Sequence, residues 1–118
     1  MKNKLNSNQQ LKRKLRASKE WKDLRSILKD VYVNDPVTKK PLSKSFNLHH
    51  LSQSKEIDDY YNLDPSRFCC VNAQTHDVVH YLYRSCRDHL DESLQELKNI
   101  VNLMIALTKA DEDRRNKE

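Results

Sequence analysis

Apolar residues recur along this chain with two different periods, and the periods mark out its elements. Trp21, Leu24, Ile27, Leu28 and Val31 fall at three- and four-residue spacing. That spacing predicts an amphipathic helix from a Ser18 cap to about Tyr32. Asn34-Asp35-Pro36 ends it, because the residue before a proline is biased out of helical geometry. Residues 35–45, with Pro36 and Pro41, then read as a loop closing on a short strand at Phe46 to Leu48. A second short apolar run, Phe68 to Val71, has the length of a buried strand. Between the two lie a predicted short helix from Lys55 to Tyr61 and a turn at Asp64-Pro65. A helix from Ala73 carries His76, Val79, His80 and Tyr83, and a long helix is predicted over residues 88–110. In that last helix Leu90, Leu94, Leu97, Val101 and Met104 repeat at 4-3-4-3 spacing, with Ile100, Leu103, Ile105 and Leu107 widening the stripe. Two heptads fall short of a coiled coil, so this stripe is expected to pack on the Trp21 helix. The alternative is a dimer through the C-terminal helix rather than a monomer. The fold class read from this pattern is α+β and mostly helical: a short two-stranded hairpin and a histidine-bearing helix, flanked by an N-terminal and a long C-terminal helix.

Composition narrows the picture. At 118 residues the chain has room for one modest core. The reading is a basic arm at 1–17, a single domain at 18–110 and a charged tail at 111–118. No apolar run approaches the 18 residues of a membrane span, and the N-terminus lacks the apolar stretch of a secretory signal. The expectation is therefore a cytoplasmic protein with no membrane partner. Three cysteines, two of them adjacent, make a poor disulfide framework. Cys69 and Cys70 read as small buried hydrophobes. A nucleophilic Cys–His pair is disfavoured because no local feature lowers either thiol's pKa. There is no glycine, which removes the usual glycine-rich phosphate loops.

Charge is unevenly placed. Residues 1–29 hold ten Lys/Arg and two acids, so this segment carries +8 and the remaining 89 residues −3, out of a total of +5. A basic arm on a near-neutral body is the electrostatic footprint of a nucleic-acid binder. Lys12, Arg13, Lys14, Arg16 and Lys19 are its candidate DNA contacts.

The candidate chemistry lies in two segments, Phe46-Asn47-Leu48-His49-His50-Leu51 and Arg67 to His80. His76 and His80 stand at i, i+4, so a helix projects both from one face, where they can share a metal ion. His49 and His50 are adjacent and point to opposite faces of a strand. Pleating, twist or a bend at the strand end can still bring both to one site in different roles, one as ligand and one as general base. Trp21, in phase with its helix stripe, reads as a core anchor rather than a base-stacking residue. Tyr60 and Tyr61 read as core or rim, and His89 is out of register with the site.

In the order and spacing of four histidines the chain resembles the HNH, or ββα-metal, endonucleases, and within them the colicin-like branch without a zinc ribbon. The resemblance spans about Trp21 to Tyr83. It implies His49, His76 and His80 as ligands of one divalent metal ion and His50 as the general base. The family's asparagine, which ties a loop down and orients the base, falls nine residues before His76, where this chain has Arg67. Either Arg67 replaces it, or Asn72 serves from another place, or activity is reduced. Many HNH proteins also hold a structural zinc with two Cys-x-x-Cys pairs. Asp35 to Thr38 and Asn72 to Thr75 sit at those positions, so packing must replace that zinc.

The resemblance implies a metal-dependent endonuclease that hydrolyses DNA phosphodiesters, acts on double-stranded DNA with low specificity, and belongs to phage-type DNA processing in a bacterial cytoplasm. A neutral imidazole suits proton abstraction from water, and one cation suits the phosphate and the leaving oxygen. Imidazole ligands admit Zn, Ni or Mn, and Mg less readily. Two other readings use the same residues. One is an HNH-like DNA-binding module without turnover. The other is a closed structural zinc site, with a fourth ligand from Cys69, Cys70 or Cys86 and a protein partner on the C-terminal helix.

Overall fold

The computed structural model describes residues 7–52 and 56–117. In chain order these residues form α1 (Ser7–Arg16), α2 (Lys19–Tyr32), β1 (Asn47–His50), α3 (Glu56–Tyr61), β2 (Phe68–Val71), α4 (Ala73–Ser85) and α5 (Leu90–Asn116). The architecture is α+β and mostly helical, with β1 and β2 paired antiparallel as a two-stranded sheet. The chain divides into two compact units, residues 1–78 and 79–118, and the division falls within α4.

In the first unit, Ser18 starts α2 as its sequence predicts. The Ser18 backbone is extended and its hydroxyl oxygen accepts the Trp21 amide at 3.2 Å, supplying one of the acceptors that a helix N-terminus lacks. Trp21, Leu24 and Leu28 face the sheet and are buried, while Ile27 and Val31, expected in the same stripe, are 57% and 70% exposed. Two strands make a narrow platform, and a platform that narrow covers only the centre of the stripe. The core is Trp21, Leu24, Leu28, Leu42, Phe46, Leu48, Tyr60, Phe68 and Cys70. Trp21 is its aromatic hub, with ring centroids 4.8 Å from Tyr60 and 5.5 Å from Phe68. Each such pair adds about 0.5–1.5 kcal/mol beyond the area it buries. Trp21 is thus a core anchor, Tyr60 is core, and Tyr61 is exposed.

Several boundaries differ from expectation. The first strand is Asn47–His50 rather than Phe46 to Leu48, so both histidines lie in it. The arm read as 1–17 is helical from Ser7. Leu15 packs on the core, and Arg16 donates from Nε to the Tyr60 hydroxyl at 2.7 Å. Lys55, the expected start of the short helix, lies outside the described residues. At the end of α2, Val33 takes φ 60° and the Asn34 amide bonds back to the Tyr32 carbonyl. This strained γ-type turn falls where glycine is the usual helix stop.

In the second unit, a 3₁₀ turn at residues 87–89 leads into α5. The helix runs past the expected end at residue 110 to Asn116, and an Asp111–Arg114 pair spans its last turns. Arg114 and Arg115 there complement the helix dipole. None of its residues is buried, and Leu90, Leu94, Leu97, Val101 and Met104 are exposed. The apolar stripe expected to be buried is therefore exposed along α5.

One buried carboxylate ties the loop after α2 to the start of α4. Asp35 is fully buried. Its Oδ1 accepts the amides of Val37 and Thr38, its Oδ2 accepts the Asn72 amide at 2.9 Å, and the Thr75 side chain bonds it as well. The Asn72 side chain continues the clasp, accepting the Ser43 amide and donating to the Pro41 carbonyl. Burial alone pushes the Asp35 carboxyl up, but the hydrogen bonds from Asn72, Thr38, Thr75 and Val37 outweigh it and hold the group down at about 2. A folded-state value below the ordinary one stabilises the fold at pH above the unfolded value. That contribution shrinks as pH falls from about 4 and is lost as pH falls through about 2. Asp35→Asn should therefore lower stability at neutral pH by about 1–3 kcal/mol, the scale for an impaired buried polar network. It should also flatten the acid limb of the stability curve. Melts by circular dichroism from pH 2 to 7 test both.

Candidate metal centre and its neighbouring histidine

Strand alternation decides where the two adjacent histidines go. In the β1–β2 register His49 pairs with Cys69 and His50 with Phe68, flanked by Leu48 opposite Cys70. Leu48, His50, Phe68 and Cys70 share the face that forms the core. His50 accordingly lies among aromatic rings, 5.0 Å from Phe68, 4.9 Å from Tyr60 and 6.1 Å from Trp21 by centroids, stacked on the last. His49 takes the other face, where its ring centroid is 5.1 Å from that of His76, edge to face.

α4 supplies the remaining imidazoles. Its N-terminus is fixed by Asp35 through Asn72 and Thr75, and the His76 amide bonds the Asn72 carbonyl. The continuous helix then carries His80 one turn beyond His76. The candidate ligand atoms of His49, His76 and His80 lie within 4.8 Å of one another, with His49 buried and the other two half-buried. This group could hold a metal ion. Zn–N bonds of about 2.0–2.1 Å put tetrahedral ligand nitrogens roughly 3.4 Å apart, so small side-chain adjustments close the site. Three neutral nitrogen donors fit a divalent transition ion and leave coordination positions open.

No cysteine joins this group among the described residues. Burial pushes the Cys70 thiol up to about 11, with Cys69 adding to the rise, and burial also raises Cys69. Both thiols therefore stay protonated and unreactive at neutral pH. Among the described residues the candidate group therefore consists of three histidines.

His50 stands apart from the ligand group and has an acidic neighbour that the sequence did not single out. Its Nδ1 is 3.3 Å from Asp59 Oδ2, and the Arg67 Nε donates to Asp59 Oδ1 at 3.0 Å. Asp59 is 3% exposed. Only a weak signal pointed to it, an acid next to a core aromatic in a short helix. Arg67 and Asn72, the two residues weighed for one role in the sequence, make separate contacts. Asn72 ties down the loop at Pro41 and Ser43, and Arg67 reaches His50 through Asp59.

The basic candidates separate in a similar way. Lys12, Arg13, Lys14 and Arg16 lie on α1, with Arg13 and Lys14 exposed. Lys19 pairs loosely with Asp23 at 3.8 Å on the surface. Arg16 is an anchor as well as a cation, since it bonds the Tyr60 hydroxyl and lies over that ring. No protein-family model, curated protein or solved structure matches the chain.

Calorimetric titration of the purified protein with Zn²⁺ or Ni²⁺ should give one site per chain. His76→Ala and His80→Ala should each weaken it by well over tenfold, since even the loss of an outer-shell partner costs about 10–100-fold. His89→Ala, at an exposed position outside the group, should leave affinity unchanged.

Proposed function

We propose that the protein is a metal-dependent endonuclease that hydrolyses DNA phosphodiester bonds. The observation that carries this reading is the group of His49, His76 and His80, next in sequence to His50, which lies on the other face of β1 and is paired with a carboxylate. Hydrolysis of a phosphodiester needs a deprotonated water, neutralisation of charge on the phosphate, and help for the departing 3′ oxygen. One divalent ion, Zn, Ni, Mn or Mg, held by the three imidazoles would supply the second and third. His50 takes the proton from water. Its ring is held in place by Trp21, Tyr60 and Phe68 on the core side and by Asp59 at Nδ1.

DNA is the substrate the charge distribution favours. The excess of ten cations over two acids in residues 1–29 lies in a segment that includes α1 and most of α2, and both helices pack side chains on the core that also holds Leu48 of β1. Phosphate contacts of this kind give sequence-independent affinity, which suits low specificity on double-stranded DNA.

Nicking of supercoiled plasmid across a metal panel, with EDTA as control, is the direct test. Cleavage should require metal and should fall by roughly 10²–10⁴-fold in His50→Ala, the usual scale for loss of a general base. Metal affinity and DNA affinity should be retained in that variant. Tight DNA binding without cleavage in any metal would instead establish the non-catalytic binding module.

The basic helix gives a separate expectation. Because Arg16 supports the core, substitution is a cleaner probe than deletion. Replacing Lys12, Arg13, Lys14 and Lys19 with Gln should weaken DNA binding uniformly across sequences. The salt dependence should flatten by about 0.9 in log–log slope for each phosphate that is no longer neutralised. Fluorescence anisotropy over a salt series measures this, and an unaltered slope would show that the segment does not touch phosphate.

A further inference from the structure

We propose that Asp59 is the positioning residue for His50, and that Arg67 determines how Asp59 acts on it. The inference rests on the assignment of His50 as general base. It concerns two residues whose joint role no motif in the sequence announces.

Hydrogen-bond donors and acceptors decide the state of the His50 ring. A general base must present an unprotonated nitrogen to water. In a neutral imidazole one nitrogen carries hydrogen and the other accepts, and the partner of the first fixes the state of the second. An ionised carboxylate can only accept. Asp59 Oδ2 lies 3.3 Å from His50 Nδ1, so the hydrogen belongs on Nδ1 and Nε2 is the accepting nitrogen. The ring is also restrained against rotation, because Phe68 lies opposite on the paired strand and Trp21 stacks on it.

Arg67 completes the arrangement. A guanidinium is a permanent donor with no acceptor, and its Nε bonds Asp59 Oδ1 at 3.0 Å. One carboxylate oxygen is thereby committed to Arg67 and the other faces His50. Asp59 itself is buried, and a buried carboxylate is stable when both its oxygens are paired in this way.

This chain of bonds makes an unusual prediction for an isosteric change. In Asp59→Asn, Arg67 still needs an acceptor and selects the amide oxygen. The amide NH₂ must then face His50, and Nδ1 has to become the acceptor. The hydrogen moves to Nε2, and the base can no longer accept a proton there. Removing the arginine donor as well, in Asp59→Asn with Arg67→Leu, frees the amide to turn its oxygen to His50 and restores the original tautomer.

The experiment is long-range ¹H–¹⁵N correlation of the histidine rings in the full-length, metal-free protein, at about pH 8.5 where an ordinary imidazole is neutral. The wild type should show His50 protonated at Nδ1, Asp59→Asn at Nε2, and the double variant at Nδ1 again. Cleavage by the metal-loaded protein should fall by roughly 10²–10⁴-fold in Asp59→Asn and partly recover in the double variant, with metal and DNA affinity unchanged. Asp59→Glu keeps an acceptor and should keep hydrogen on Nδ1, which supplies a second variant should the asparagine protein fail to fold. A wild-type His50 protonated at Nε2, or an Asp59→Asn tautomer that does not move, overturns the proposal. Undiminished cutting by His50→Ala would overturn the base assignment while the tautomer result still stood, so the two failures are distinguishable.

Discussion

The Asp35 carboxylate is the interaction on which the geometry of the site depends. It is fully buried, yet it stays charged, because amides from both sides of the structure converge on it. One oxygen organises the turn after α2. The other holds the backbone just before α4, and no acidic residue stands in the first turn of α4 itself. A carboxylate brought in from a distant loop thus serves the helix N-terminus electrostatically. His76 follows directly on Thr75, so the same contact that starts the helix sets the height at which its histidines meet β1. Hydrogen bonds to Asp35 from Val37, Thr38, Asn72 and Thr75 thus cross-link the loop after α2 to the start of α4.

The second constraint is the two-residue period of a strand. It sends His49 and His50 to opposite faces, and each face has its own environment. His49 meets the imidazoles of α4, where donors without charge suit a cation. His50 enters a cluster of aromatic rings, where water is scarce and an unsatisfied polar nitrogen would be costly. The Asp59–Arg67 pair answers that cost, and it comes from the connection between the strands rather than from the strands themselves. Core packing and candidate chemistry are therefore not separate regions here. Trp21, a core residue by every measure, is also a wall of the pocket that holds His50.

What was legible in the sequence follows the range of the forces involved. The helix from Ser18 and the long final helix declare themselves through local periodicity, the two short strands only as brief apolar runs, and all are present. The pairing of His76 and His80 was legible as well, because i, i+4 spacing on a helix converts directly into geometry, whereas His49 entered as a ligand only through the family resemblance. What could not be read was set by long-range pairing. Asp35 reaches Asn72 across 37 residues, and nothing local to Asp35 announces a buried charge, since Asn-Asp-Pro reads as an ordinary helix stop. Asp59 is hidden for a different reason: its partners His50 and Arg67 are only nine and eight residues away, but they are met through the turns of the connection between the strands and through no fixed helical or strand spacing. The width of the apolar stripe on α2 was overread, because periodicity reports which side chains could be buried and not how wide a sheet is there to cover them.

These observations bear on how the protein can hold a metal without depending on one to fold. Where the ligands are also the main cross-links of a small domain, binding free energy becomes folding free energy and the apo protein is unfolded. Here the elements that carry the ligands are joined by other means: β1 to β2 by backbone pairing and the shared core, and the start of α4 to the loop at Asp35 by the carboxylate clasp. Each is complete with protein groups alone. The three imidazoles can therefore be brought close before any ion arrives. In a chain with no glycine and no disulfide among its three cysteines, hydrogen bonds and core packing make the cross-links, and the three histidines that could hold an ion are not needed for that work.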